Sequence, residues 1–143
     1  MKISTRGRYS LEALLSLALL GTNDSASTRA IAEKTGVSER YLEQLFILLR
    51  GAGIIKGIRG AKGGCYLGRS AKDITVGDIL RAAEGPMELV ECVAATDCPR
   101  LENCASRHTW SELYSAVTRF VDSVTLADLT EAYWKMGVEE YNI

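Results

Sequence analysis

The sequence predicts a mainly α fold: a winged helix-turn-helix domain with a small β-hairpin wing, plus a long C-terminal dimerisation helix. Three observations carry that expectation. Between Ser27 and Gly51 a short capped helix, a glycine break and a second capped helix follow one another, the order of a helix-turn-helix. Between Ile54 and Leu67 two short strand-like stretches flank a glycine-rich basic turn, as a hairpin requires. From Trp110 to Val124 apolar residues recur seven apart, a stripe that has to be covered. At 143 residues the chain can bury a real core as one domain with an appendage.

In chain order, MKISTRGRY opens with Lys2, Arg6 and Arg8 among small polar residues. Ser10 then precedes a helical pattern in which Leu11, Leu14, Leu15, Ala18 and Leu19 fall at i, i+3, i+4, i+7 and i+8. The run GTNDS at 21–25 ends it. Ser27 or Thr28 caps a short helix whose apolar side is Ala30, Ile31 and Ala32. Gly36 breaks that helix, Ser38 caps the next, and Tyr41, Leu42, Leu45, Leu48 and Leu49 mark it as far as Gly51. Tyr41, Leu42, Leu45 and Leu49 can form its buried face, leaving Glu39, Arg40, Glu43 and Gln44 outward. Arg and Gln pair bidentately with base edges, and a glutamate accepts from cytosine, so this is the expected recognition helix.

The stretch IIKGI at 54–58 alternates like a strand, and Cys65, Tyr66 and Leu67 return as a second one. Glycines in the connecting RGAKGG let backbone come close to a duplex, and Arg59 or Lys62 at the tip can enter a minor groove or meet phosphates. Cys65 reads as a small buried apolar residue. Thr75 and Asp78 make a capping-box pattern opening a helix at 76–83, stopped by Gly85 and Pro86. After His108 comes a long helix in which Trp110, Val117 and Val124 are seven apart, as are Leu113 and Phe120, with Tyr114 and Val121 beside the seam. A second copy of that helix is the economical cover, so a homodimer is expected. Thr125 caps a last helix running toward Met136. The expected units are a winged helix-turn-helix domain at 1–85, a cysteine-rich loop at 86–108, and the dimerisation and C-terminal helices at 109–143.

Charge is divided along the chain. Residues 1–72 carry twelve Lys and Arg against five Asp and Glu, a net of +7, whereas residues 73–143 carry five against thirteen, a net of −8. A basic half joined to an acidic one fits a nucleic-acid-binding half attached to a regulatory half. The most apolar run, 11–20, is broken by Glu12 and Ser16 and is too short to span a bilayer. There is no signal-peptide pattern, so the expected location is the cytoplasm, with no membrane partner. With one histidine and no visible nucleophile–base arrangement, neither enzyme activity nor a small-molecule substrate is expected.

The segment CVAATDCPRLENCASRH, 92–108, holds three of the four cysteines as C-x5-C-x5-C and the one histidine. Thiolate-rich segments hold metals or iron–sulfur units, but zinc knuckles pair their cysteines more closely. Asp97, Pro99 and Asn103 are turn formers, so the segment reads as a loop folded around a bound group.

Taken together, MKISTRGRY, SERYLEQLFILLRGAG, RGAKGG, DITVGDILRAAEGP and TLADL resemble the Rrf2 family of bacterial winged-helix transcription regulators, over nearly the whole chain. The cysteine spacing is similar to that of the family's iron–sulfur members, above all those controlling cluster-assembly genes. The resemblance implies a homodimer on double-stranded operator DNA, with Arg6, Arg8, Ser38, Arg40, Tyr41 and Glu43 among the contacts. Gln44, Arg50, Arg59, Lys62 and Gly63 complete that expected set. It also implies a [2Fe–2S] cluster on Cys92, Cys98, Cys104 and His108, making 86–108 the cluster-binding loop. Those members carry histidine three residues after the last cysteine, whereas here it is four. Positions i+3 and i+4 face the same side if a helix begins at Cys104, which keeps His108 as the expected ligand beside Glu91, Asp97 or Glu102. Three other readings stay open. A nitric-oxide-sensing member would hold [4Fe–4S], a thiol-switch repressor would use the bare cysteines, and an iron–sulfur electron carrier would leave the basic half without a job.

Overall fold

Helix α1 (Thr5–Leu20) is the element on which the others pack. It touches the second, third, fourth and last long helices and one strand of the hairpin. The structure is a computed structural model that describes residues 2–21, 24–61, 63–94 and 97–137. Helix α1 starts before Ser10, contrary to expectation: Ser4 is its cap, its hydroxyl accepting from the Arg6 N–H at 3.2 Å. Ser10 lies buried in its interior, with no hydrogen-bond partner for its hydroxyl. What holds the early start comes from far along the chain. The Glu84 carboxylate accepts from the Ser4 N–H and hydroxyl, each at 2.9 Å, and from the Gly7 N–H at 3.1 Å. A carboxylate there satisfies orphan amides and opposes the helix dipole.

The stripe of α1 that is most buried is made of small residues, Gly7, Ser10, Ala13 and Ser16, together with Leu14 and Leu17. Leu11, Leu15 and Ala18, expected on the buried face, are only partly covered. Small side chains let a neighbouring helix approach closely. A Cβ on Gly7 would lie 2.9 Å from Leu80 and run into the Glu84 carboxylate.

Helix α2 (Thr28–Thr35) is capped by Ser27, whose hydroxyl accepts from the Ala30 N–H at 3.1 Å, and ends at Gly36 with φ of 72°. Helix α3 (Glu39–Gly51) is capped by Ser38. Its buried stripe is Leu42, Leu45, Phe46 and Leu49. Leu48, expected among the apolar markers, stands about a third of a turn off that stripe and is 39% exposed. Phe46 takes its place.

Strands β1 (Ile55–Ile58) and β2 (Gly64–Leu67) pair antiparallel with Ile55 opposite Leu67 and Ile58 opposite Gly64. The hairpin is joined to the chain before α2 by a bridge that sequence patterning did not suggest. Ala26 N–H donates to the Cys65 carbonyl at 3.0 Å, and Cys65 N–H donates back at 2.8 Å. Gly64 is required there, because a Cβ would sit 2.5 Å from the Ala26 carbonyl oxygen.

After a 3-10 turn (Ala71–Asp73) come α4 (Val76–Glu84), the four-residue α5 (Glu91–Ala94), α6 (Ala105–Ser123) and α7 (Leu126–Lys135). Two differences from expectation matter. Cys92 lies on a helical turn rather than in open loop, and the long helix begins at Ala105, so His108 falls inside it. Thr75 and Thr125 both close capping boxes, with Asp78 and Asp128. The two caps meet: Val76 N–H donates to the Val124 carbonyl at 2.9 Å, and Leu126 N–H to the Ile74 carbonyl at 2.8 Å. Leu126 of α7 is thereby buried in the same core as Ala13, Leu42, Leu49 and Ile79. Arg81 bridges α4 to α6 through Asp122 at 2.6 Å. No described helix is long and apolar enough to cross a membrane.

Candidate nucleic-acid interface and cysteine segment

The outward face of α3 carries Glu39, Arg40, Glu43 and Gln44, all exposed as a reading surface requires. Ile47 continues that face one turn on and is 63% exposed, an apolar group the sequence reading did not single out. Ser38 is exposed, but its hydroxyl is engaged as the helix cap, accepting from the Tyr41 N–H at 3.3 Å. Tyr41 is half-buried and packs edge-on against Tyr9, ring centres 6.0 Å apart. The guanidinium of Arg8 lies 6.0 Å from the Tyr9 ring centre, so the first turns of α1 and α3 are tied through aromatic contact. Arg6 and Arg8 are both exposed.

At the wing, Arg59 is exposed beside Gly60, whose φ of 112° makes the turn. Lys62 lies outside the described residues. Gly63 closes the turn, its N–H donating to the Gly60 carbonyl at 2.9 Å. A Cβ there would sit 2.8 Å from the carbonyl oxygens of Ile58 and Gly60, so close packing within the hairpin already requires a glycine. Arg50 is exposed at the end of α3, its guanidinium reaching across Gly57 of β1.

The four cysteines are free thiols in two environments. Cys65 is buried, its Sγ 3.7 Å from the Ala26 carbonyl oxygen, and burial pushes its pKa up to about 11 against the opposing pull of Arg50. Cys92, Cys98 and Cys104 are half-buried. Cys104 is the residue before α6, with its sulfur 3.2 Å from the Ser106 hydroxyl. That hydroxyl, then the Arg107 main-chain N–H, holds the Cys104 thiol below its ordinary pKa. The Arg107 side chain reaches back to α5: Nε donates to the Cys92 carbonyl at 3.1 Å and Nη2 to the Val93 carbonyl at 3.4 Å. Cys98 heads a turn in which its carbonyl accepts from the Leu101 N–H at 3.1 Å. His108 is exposed on the first turn of α6.

Three thiols and an imidazole are in kind a fitting donor set for iron. In place, no three His, Cys, Asp or Glu side chains among the described residues come close enough together to hold a metal ion. The fit is one of chemistry and chain position. Glu91, Asp97 and Glu102, the other expected donors, are exposed.

Of the predicted stripe on α6, Trp110, Leu113 and Phe120 are 39%, 43% and 68% exposed, whereas Tyr114 and Val117 are half-buried, Val121 is buried, and Val124 falls just past the end of the helix. Beside it opens an apolar pocket of about 530 Å³ lined by Ile3, Met87, Leu89, Val117, Phe120 and Val121. Two residues central to this geometry, Glu84 and Arg107, had no sequence signal, since their partners, mostly backbone groups, are brought to them by tertiary structure.

The profile of the Rrf2 family, described as iron-dependent transcriptional regulators, matches residues 3–132. The chain is similar to the transcriptional regulator CymR of Bacillus subtilis, at 44% identity over 129 residues, 90% of this chain and 89% of that one. It is similar to the transcriptional regulator IscR of Vibrio atlanticus, at 36% identity over 90% of this chain and 75% of that one. The solved structure of T. potens IscR superposes with a TM-score of 0.79 at 34% identity, covering 98% of this chain and 93% of the other. Regulators of both names align over most of the chain, so similarity speaks for transcription regulation in general and does not single out cluster sensing.

Proposed function

The chain belongs to the Rrf2 family of transcriptional regulators, and on that premise we propose that it senses an iron–sulfur cluster and controls cluster-biogenesis genes accordingly. Binding DNA to regulate transcription comes with the family. The finer reading rests on one observation above others: three half-buried free thiols at even spacing, Cys92, Cys98 and Cys104, between the winged half and α6. These three, with His108 as fourth donor, would hold a [2Fe–2S] unit. Such a unit supplies a redox-responsive, oxygen-labile anchor whose loss frees the thiols. The family description as iron-dependent regulators supports the same reading.

The rest is done by the protein's own groups. Arg40 and Gln44 are placed to read base edges, Glu43 to accept from a cytosine amino group, and Arg59, Arg6 and Arg8 to neutralise phosphates. The exposed α6 residues Trp110, Leu113 and Phe120 are proposed to pair with those of a second copy, setting two reading heads on one operator. A DNA partner supports a cytoplasmic location.

The test is iron and acid-labile sulfide content, with an absorption spectrum, on protein purified without oxygen. About two of each per chain, with visible bands lost in Cys92→Ala, is the expected result. Near four of each would point to a [4Fe–4S] regulator. No iron even after reconstitution would overturn the reading and leave the thiol switch, which the lowered pKa of Cys104 favours.

A further inference from the structure

We infer that Arg107 is the positioning residue of the cysteine segment, holding Cys92 against the first turn of α6 before any ligand arrives. The inference rests on the reading that Cys92 and Cys104 are ligands of one group. Arg107 is half-buried while Ser106 and His108 on either side of it are exposed, so its side chain is turned toward the protein. Its Nε and Nη2 donate to the carbonyls of Cys92 and Val93. Among the described residues these are the two side-chain hydrogen bonds that join α5 to α6.

Helix α5 has four residues, too few to be stable alone, and its last carbonyls have no partner within the helix. A guanidinium suits that place. It is charged at every accessible pH, presents donors in a planar fork, and its charge is favoured at the carbonyl end of a helical turn. Arg107 is also three residues from Cys104, so one side chain spans from the start of α6 to the backbone of Cys92. A segment anchored in this way loses less freedom on capturing a ligand than an open loop would.

The experiment compares wild type, Arg107→Ala and Arg107→Lys as full chains, with two readouts. One is amide hydrogen exchange at 91–94 in metal-free protein; the other is iron per chain and the visible spectrum after anoxic reconstitution. Arg107→Ala is expected to speed exchange at 91–94 by at least about tenfold and to lower retained iron severalfold, with the exchange of α3 unchanged. A lysine reaches one carbonyl rather than two, so Arg107→Lys should fall between. Unchanged exchange at 91–94 in Arg107→Ala overturns the inference. So does faster exchange with iron fully retained, since the anchor would then have no bearing on ligand capture. A wild type that takes up no iron refutes the cluster reading, and the exchange comparison alone then decides whether Arg107 holds Cys92.

Discussion

Cys65 and Cys104 show how far surroundings separate two identical side chains. Cys65 is 2% exposed in the main core, and burial raises its pKa from an ordinary 9.0 to about 11. Below pH 9 the thiol is neutral in folded and unfolded chains alike, and its contribution is intact. Between about pH 9 and 11 the unfolded chain ionises while the folded one stays neutral, so stability is lost as pH rises through that window. The loss is at most about 3 kcal/mol. Urea midpoints at pH 8, 9.5 and 11 should fall more steeply for wild type than for Cys65→Ala; parallel slopes would refute the assignment. Gly7 teaches a related lesson. Alanine is favoured over glycine inside a helix by about 1 kcal/mol. Here a Cβ would collide with the Glu84 carboxylate that caps the same helix, and the clash outweighs propensity.

At the scale of elements, the recognition helix and wing were legible because their chemistry is local. Caps at Ser27 and Ser38, the left-handed Gly36 and the buried Leu42, Leu45 and Leu49 all lie within one short stretch, whereas Phe46 in the same stripe was not anticipated. Two substitutions separate reading from anchoring. Arg59→Ala should weaken binding to every duplex and lower the salt slope by about one, as the loss of a phosphate contact does. Glu43→Ala should leave random-DNA affinity alone and relax preference at one base pair by about 1–3 kcal/mol. Titrations of an operator and a random duplex at two salt concentrations check both. A Glu43→Ala protein with undiminished preference would remove that residue from base reading. The start of α1 was not legible, because residues 5–9 have no apolar period and their stabilising carboxylate, Glu84, is some eighty positions away.

At the scale of the molecule, α6 presents Phe120 at 68% exposure beside an apolar pocket bounded by Met87, Leu89 and Val117. Exposed aromatics next to a matching hollow are the raw material of an isologous contact. Phe120→Glu should shift the chain from dimer to monomer in analytical ultracentrifugation and cut affinity for a two-half-site operator far more than for a single half-site. A wild type that sediments as a monomer would refute the dimer. The same scale explains why α7 is not an appendage: it packs on α1 and the 3-10 turn, Leu126 is fully buried in the main core, and backbone hydrogen bonds join its start to that of α4.

By itself the sequence determined what depends on neighbours in the chain: capped helices, the hairpin and its glycine turn, the even spacing of three cysteines, and the division of charge. It also marked the α6 stripe, since a seven-residue period is a local property. Tertiary structure alone decided what depends on distant backbone groups. It put Glu84 at the start of α1, bridged Ala26 to Cys65, buried Ser10, and turned Arg107 toward the carbonyls of Cys92 and Val93. Those carbonyls and amides are the same in every residue, so no side-chain pattern announces them. They acquire partners only when folding brings the segments together.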